Sequence, residues 1–414
     1  MATTSSELVG AASLEYTRQP ASTPRRGRRP ARILGWLGIA LVCCVVLELA
    51  CRVEDWVMYR MPLWSRYTSL DQLVVRDAAG MHGRPNAQYE KWSMNALGMR
   101  GPEAPVTSPP GTHRIIAAGA SETFGLRESV GKEYPRQLED SLNARVAKGE
   151  CRLPASGRFE VLNAAFAGMG LPTIEQDVRT RLARLRPEFI LIYPSPASYL
   201  DESPPKPASP DSQYRIAELP LSGAFYPRSI ARLREQLKQV VPEFLASRLR
   251  AWQTRSHIAG HAPGWRFESI PGERLSQYDA DLRKLIGTVR SVGAIPIVAT
   301  HGNEFMDRAS IDRNMLVAWE KFYPRATAAT IVAMDSAARV VTQRVAGDSS
   351  AIVVDAAKTL AAAPLAAFAD FVHFTNLGAG IMAGTLSDGV LAAARAAGVC
   401  SGGSSAGNAT GGAD

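Results

Sequence analysis

Histidine and cysteine are scarce in this chain, six and five among 414 residues. So few histidines leave few candidates for moving a proton near neutral pH. Three of the cysteines, Cys43, Cys44 and Cys51, fall in or at the end of one apolar segment, which leaves Cys151 and Cys400 for everything else. No internal repeat is present, which excludes repeat architectures. A dominant charge is missing as well. The formal net charge is +8, and residues 1–32 carry half of it, with six arginines (Arg18, Arg25, Arg26, Arg28, Arg29 and Arg32) against Glu7 and Glu15. The surplus on the rest is thin, and it gives no reason to expect a nucleic-acid partner. Hydrophobic content of 46% with 21% charged residues is that of a globular chain with a sizeable core.

The run Ile33 to Leu47 has no charge, and Glu48 is the only charge before Arg52. Read as one helix, Ile33–Val53 spans about 31 Å at ~1.5 Å per residue, enough for the hydrocarbon core of a bilayer. A cleaved signal peptide fits less well, because its polar leader would be long and no A-x-A site follows the run. A lipoprotein signal at Leu49-Ala50-Cys51 would have Glu48 where an aliphatic residue is wanted. The reading is an uncleaved anchor, and the arginines before it put residues 1–32 in the cytoplasm and the chain after Val53 outside.

The basic segment 1–32 and the Gly/Ser-rich segment 401–414 have nothing to bury and are expected to be disordered. Residues 54–112 form a juxtamembrane segment. From 113 to 400 short apolar runs alternate with longer helical ones. The runs are Arg114–Ala118, Phe159–Leu162, Phe189–Tyr193, Ala294–Thr300 and Ala351–Val354, near-continuous as in strands buried on both faces. Leu282, Leu285, Ile286 and Val289 have helical spacing, with Gly293 as a stop. Five strands with helical crossovers predict an α/β three-layer sandwich on a parallel sheet. Residues 200–273 are too long for a crossover and read as an insertion, a lid or side wall at the strand tips. Leu233, Leu237, Val240, Val241 and Phe244 lie on one helical face in it. Its arginines Arg232, Arg234, Arg248 and Arg250 suit a solvated face better than anionic lipid.

Sites in open parallel sheets form at the carboxyl ends of the strands. Those ends carry Gly119-Ala120-Ser121-Glu122-Thr123, then Asn163 to Gly168, then Tyr193 to Ser198, then Thr300 to Asn303, and Asp370-Phe371-Val372-His373 stands before the last helix. At that spacing Asp370 can accept the imidazole N–H of His373, fixing the tautomer and freeing the other nitrogen for a serine. Thr375 fits as N-cap of the helix that follows. His301, at the tip of the fourth strand, is a candidate substrate contact.

Taken together, G119-A-S-E-T123, N163-A-A-F-A-G168 and D370-F-V-H373 resemble the SGNH (GDSL-like) hydrolase family over residues 113–398. The upstream W92-S-M-N-A-L-G-M-R-G101 resembles a segment that precedes this domain in membrane-anchored members. The resemblance implies a flavodoxin-like sheet, Ser121 as nucleophile, His373 as general base, Asp370 as its orienting carboxylate, and an oxyanion hole from Gly168 and the N–H of Ser121. It implies no metal or cofactor. One element departs: the third strand ends Y193-P-S-P-A-S198, where the family has an asparagine donor. Either Ser195, Ser198 or an insertion residue substitutes, or catalysis is weakened. Such a donor is worth about 2.7–4 kcal/mol elsewhere.

The expected activity is an extracytoplasmic esterase removing or transferring short acyl groups such as acetyl on envelope glycans. A glycan-binding protein with little catalysis is the alternative. In flavodoxin-like strand order the helix before Cys151 and the helix before Cys400 lie side by side and end at the same corner, so these two cysteines are expected to pair.

Overall fold

The computed structural model describes residues 28–402 except 66, 68, 155–156, 208–226 and 307–311. The expectations for 1–27, for 403–414 and for most of the proline-rich start of the insertion lie outside these residues. The chain divides into two compact units, residues 1–50 and 51–414. In the first, helix α1 (Arg28–Tyr59, continuing to the start of the second unit) exposes Ile33, Leu37, Leu41 and Val45 and is long and apolar enough to cross a membrane.

The second unit is built on five parallel strands: β1 (Thr112–Gly119), β2 (Arg158–Asn163), β3 (Phe189–Tyr193), β4 (Ile295–Ala299) and β5 (Ile352–Val354). Their order is β5-β4-β3-β1-β2, the flavodoxin-like arrangement. Ile116 lies beside Leu162 on one side and Ile190 on the other, and Ile192 lies beside Val298. The helices are α2 (Tyr134–Ala147), α3 (Leu171–Thr180), α4 (Arg228–Val240), α5 (Glu243–Ala259), α6 (Gly272–Ser291), α7 (Arg313–Phe322), α8 (Ala328–Asp348), α9 (Ala356–Ala361) and α10 (Asn376–Ala396).

Successive strand residues point to opposite faces, and the sheet therefore separates two cores. Ile115, Ala117, Phe189 and Leu191 pack with Leu138 of α2 and Leu386 of α10. Ile116, Ala118, Ile190 and Ile192 pack with Ile174 of α3, Leu282 of α6 and Met334 of α8. This is why the strands read as unbroken apolar runs, and why α10, also long and apolar enough to cross a membrane, is a core helix. The four apolar positions Leu282, Leu285, Ile286 and Val289 are the buried face of α6.

Residues 74–101 add two short hairpins, Val74–Asp77 with Gly80–Gly83 and Gln88–Tyr89 with Trp92–Ser93. Met81, Met94 and Met99 enter the α3-side core. In the insertion, the expected single helical face from Leu233 to Phe244 is interrupted. Pro242 has no N–H to give and biases Val241 to an extended backbone. Helix α4 therefore stops at Val240 and α5 starts at Glu243.

Helices α2 and α10 pack side by side and both run away from the carboxyl edge of the sheet. Just past their ends Cys151 and Cys400 form a disulfide with Cα atoms 5.4 Å apart, inside the usual range. The bond closes a loop of 249 residues. Chain entropy alone would assign it about 5 kcal/mol, and measured bridges usually give about 2–4. We expect Cys400→Ser to lower unfolding free energy by about 2–4 kcal/mol, read from the urea midpoint at unchanged m-value. A wild-type domain that takes up alkylating reagent at both cysteines without reduction would refute the pairing.

Candidate active site

The Ser121 turn begins at Ala120, whose backbone leaves the strand, and Ser121–Phe124 make a single helical turn of four residues. Such a turn has little macrodipole, so local N–H groups rather than a long helix are what it can offer an anion. Gly125, at φ 84°, ends it. Gly119 is required by space: a Cβ there would fall 2.8 Å from the carbonyl oxygen of Tyr193. Gly168 is required by backbone, with φ 86° and only Met81 nearby at 3.9 Å.

Two buried side chains hold the turn from outside. Asn163, at the end of β2, donates Nδ2–H to the carbonyl of Thr123 at 2.9 Å. Arg100 donates to the carbonyls of Phe124, at 2.7 Å, and Gly125, and its Nη2 lies 3.6 Å from Glu133. Through Arg100, the upstream W92–G101 segment therefore clamps the Ser121 turn.

Asp370 and His373 form a tight unit. Oδ1 of Asp370 accepts the N–H of Val372 at 3.2 Å, that of His373 at 3.0 Å and the imidazole Nδ1–H at 2.7 Å. Oδ2 faces Nε of Arg127 at 3.3 Å. Thr375 caps α10 by accepting from the N–H of Gly378. Nε2 of His373 is buried and makes no hydrogen bond. Burial would raise the Asp370 carboxyl, but the hydrogen bond and charge of His373 outweigh it and hold it at about 2. Burial would lower His373, and the bond and charge of Asp370 raise it above the ordinary imidazole value instead.

Ser121, Asp370 and His373 line one cleft of about 270 Å³ together with Gly168, Ser195 and Ser198. Its wall is apolar: Leu126, Met169, Trp319, Phe322 and Phe371. Trp319 stacks on Phe371 at 5.5 Å, which backs the Asp370–His373 turn with aromatic surface. Among the described residues no hydrogen bond joins Ser121 to His373. The Ser121 hydroxyl donates to Glu122 Oε2 at 3.1 Å.

Glu122 is the residue that the sequence reading passed over. It is 2% exposed, and its Oε1 accepts from Ser195 Oγ at 3.2 Å and from His301 Nε2 at 3.3 Å. The expectation that His301 meets substrate is corrected here. His301 is 1% exposed and absent from the cleft wall, with Nδ1 2.5 Å from Asp335. Asp335, on α8, is also held by Asn303 at 2.6 Å and Arg339 at 2.7 Å. A signal was present: Asp335 falls on the apolar stripe of Ile331, Met334 and Ala338, where an acid must have a partner. Ser195 and Ser198 are at the tip of β3, and both hydroxyls are engaged, the first by Glu122 and the second by the Ser195 carbonyl at 2.7 Å.

Burial favours neutral His301, but the charges and hydrogen bonds of Asp335 and Glu122 overcome it and raise its pKa to about 9. Burial likewise opposes ionised Glu122, and the His301 bond and charge reverse that, leaving its pKa below the usual range. Outside the cleft, Glu202, His257 and His261 bring ligand atoms within 4.8 Å of one another, the single group among the described residues able to hold a metal ion.

No family model and no curated protein sequence matches this chain. Among solved structures it is similar to LAE5, an α/β hydrolase from the metagenome of Lake Arreo, at 14% identity and a TM-score of 0.38, covering 68% of this chain and 95% of that one. It is also similar to the acetylxylan esterase Axe2 of Geobacillus stearothermophilus, at 15% identity and a TM-score of 0.37, covering 67% and 94%. A lipase/acylhydrolase of Enterococcus faecalis matches at 13% identity and a TM-score of 0.38, covering 68% and 96%.

The His301 shift sets a pH dependence. A folded value of about 9 exceeds the ordinary ~6.5, so its stabilisation is complete below pH ~6.5 and is lost as pH rises through about 9. We expect the melting temperature of wild type minus that of His301→Asn to shrink between pH 7 and 9, followed by circular dichroism. A constant difference would mean that His301 is not charged in the folded protein.

Proposed function

We propose that this protein is a serine esterase acting on short acyl esters, with Ser121 as nucleophile and the His373–Asp370 pair as base and orienter. The observation that carries the reading is the shared cleft. It joins a serine at a strand tip to a histidine whose tautomer is fixed by Asp370 and whose Nε2 is unpaired.

In this mechanism substrate entry turns Ser121 Oγ from Glu122 toward His373 Nε2. The oxygen attacks the ester carbonyl while Nε2 takes the hydroxyl proton. The Asp370 carboxylate stabilises the imidazolium without itself accepting the proton. Collapse of the tetrahedral intermediate expels the alcohol, which leaves with that proton. Water, or a sugar hydroxyl in the transfer variant, then attacks the acyl-enzyme by the reverse sequence. Gly168 and the Ser121 N–H are the proposed oxyanion donors. With Ser195 and Ser198 committed, no third-strand side chain replaces the missing asparagine.

The small apolar cleft suits acetyl or a similarly short acyl group. An acylated glycan of the cell envelope is the proposed substrate, and the acetylxylan esterase among the structural neighbours acts on a sugar ester of that kind. Helix α1 is the proposed anchor, with the cleft outside the cytoplasm, where a Cys151–Cys400 disulfide persists. One observation favours a second reading, a glycan-binding protein with little turnover: the Ser121 hydroxyl rests on Glu122 rather than on His373.

A fluorophosphonate probe decides between the two. We expect it to label wild type and not Ser121→Ala, and we expect Ser121→Ala and His373→Ala each to lose roughly 10⁴-fold or more in kcat/KM on p-nitrophenyl acetate, without additivity. Equal labelling of wild type and Ser121→Ala would move the nucleophile elsewhere, and no labelling of either would favour the binding protein.

Topology has its own test. A reporter active only in an oxidising compartment, fused after Gly402, should work with the whole chain and fail when residues 33–53 are deleted. An inactive full-length fusion would overturn the location.

A further inference from the structure

The insertion presents an apolar surface that the hydrolase core does not cover. On α4, Ile230, Leu233 and Leu237 are exposed at helical spacing, the last two at 57%. Val240 follows at 76%, and beyond the Pro242 break Phe244, Leu249 and Trp252 are also exposed. A helical stripe of this kind needs an occupant.

What fixes α4 in place points to that occupant. Arg228 and Arg232 both reach Asp55, at 3.5 and 2.5 Å, and Arg232 also reaches Glu54 at 3.2 Å. Arg228 is 4% exposed and Asp55 3% exposed, so this joint is a buried one. Glu54 and Asp55 follow Val53, the last residue of the apolar run, by one and two positions. At ~1.5 Å per residue the joint is about 3 Å beyond the run. The same few turns of chain expose Trp56, Val57 and Met58, and then Trp64 at 68%. Tryptophan with arginine is the composition of a membrane–water interface. Arg234, Arg248 and Arg255 are exposed on the insertion, the pairing of basic and apolar surface that helices lying in an interface use.

We infer that α4 and the start of α5 lie in the membrane interface beside the end of the anchor, with their apolar stripe in the lipid and their arginines at anionic headgroups. The solvated face expected from sequence is replaced by a lipid-facing one. The two Asp55 ion pairs act as the bracket that sets this surface at the depth of the bilayer boundary, so the catalytic unit is held by two elements rather than swinging on one helix. The inference rests on α1 being a membrane anchor.

Full-length protein in nanodiscs of phosphatidylcholine and phosphatidylglycerol in equal parts provides the test. A fluorophore is attached at Leu237→Cys, at Thr359→Cys on the exposed side of α9, or at native Cys44, the other anchor cysteines being alanine in each case. Doxyl-labelled lipid and aqueous iodide are the quenchers. We expect the Leu237→Cys label to be quenched by doxyl lipid several-fold more than the Thr359→Cys label, and to be shielded from iodide. Behaviour matching the Thr359→Cys label would overturn the inference. Shielding from both quenchers would also overturn it, because a second copy or another part of the chain would then cover the stripe. A Cys44 label that doxyl lipid does not quench would instead remove the anchor, and the inference with it. None of these results touches the esterase reading, which the fluorophosphonate probe tests separately.

Discussion

The carboxylate of Glu122 joins three strand tips, two of which line the cleft. It takes hydrogen bonds from Ser121 after β1, Ser195 after β3 and His301 after β4. Removing an ion from water costs several kcal/mol even after relaxation, so a carboxylate at 2% exposure stays ionised only if these partners are in register. The charge of His301 balances it, Asp335 balances His301, and Arg339 brings the chain of charges out to partial solvent exposure at α8. A shift of one strand tip would leave a buried charge unpaired. The position of the serine is thus set by electrostatics behind it as much as by backbone geometry around it.

A second support comes from the chain before the sheet. Arg100 is 5% exposed and gives its Nη1 to the carbonyls that end the serine turn, with Glu133 beside Nη2 as counter-charge at 3.6 Å. Those carbonyls have no further helix to satisfy them, since the turn stops at Gly125. The guanidinium does for this short turn what another helical turn would do in a longer one. The 54–112 region is for this reason part of the site's scaffold as well as the connection to α1.

What the sequence made legible is what depends on local pattern. Phe189–Tyr193 is a strand with the same limits in both readings, because five apolar residues buried on both faces leave no ambiguity. The Asp370–His373 bond was readable because its partners are three residues apart. The Glu122–His301–Asp335 chain was not, because its links cross 179 and 34 residues of sequence. In the sequence Glu122 is one more polar residue in a turn, and His301 one more on a loop. Both are fully enclosed only when β1 and β4 are brought into one sheet. The break at Pro242 belongs to the legible class, but the apolar spacing on either side of it hid the interruption.

The disulfide also determines where the domain can be pulled. Anything attached beyond Gly402 transmits force through Cys400 to Cys151, at the end of the sheet opposite the cleft. From there the load passes to the end of α2, while the loop between the two cysteines, with β2 and α10, is bypassed. The Asp370–His373 turn, at the other end of α10, is outside that load path. A cargo or solid support joined at this terminus would leave the cleft unblocked and its Asp370–His373 turn mechanically unstrained.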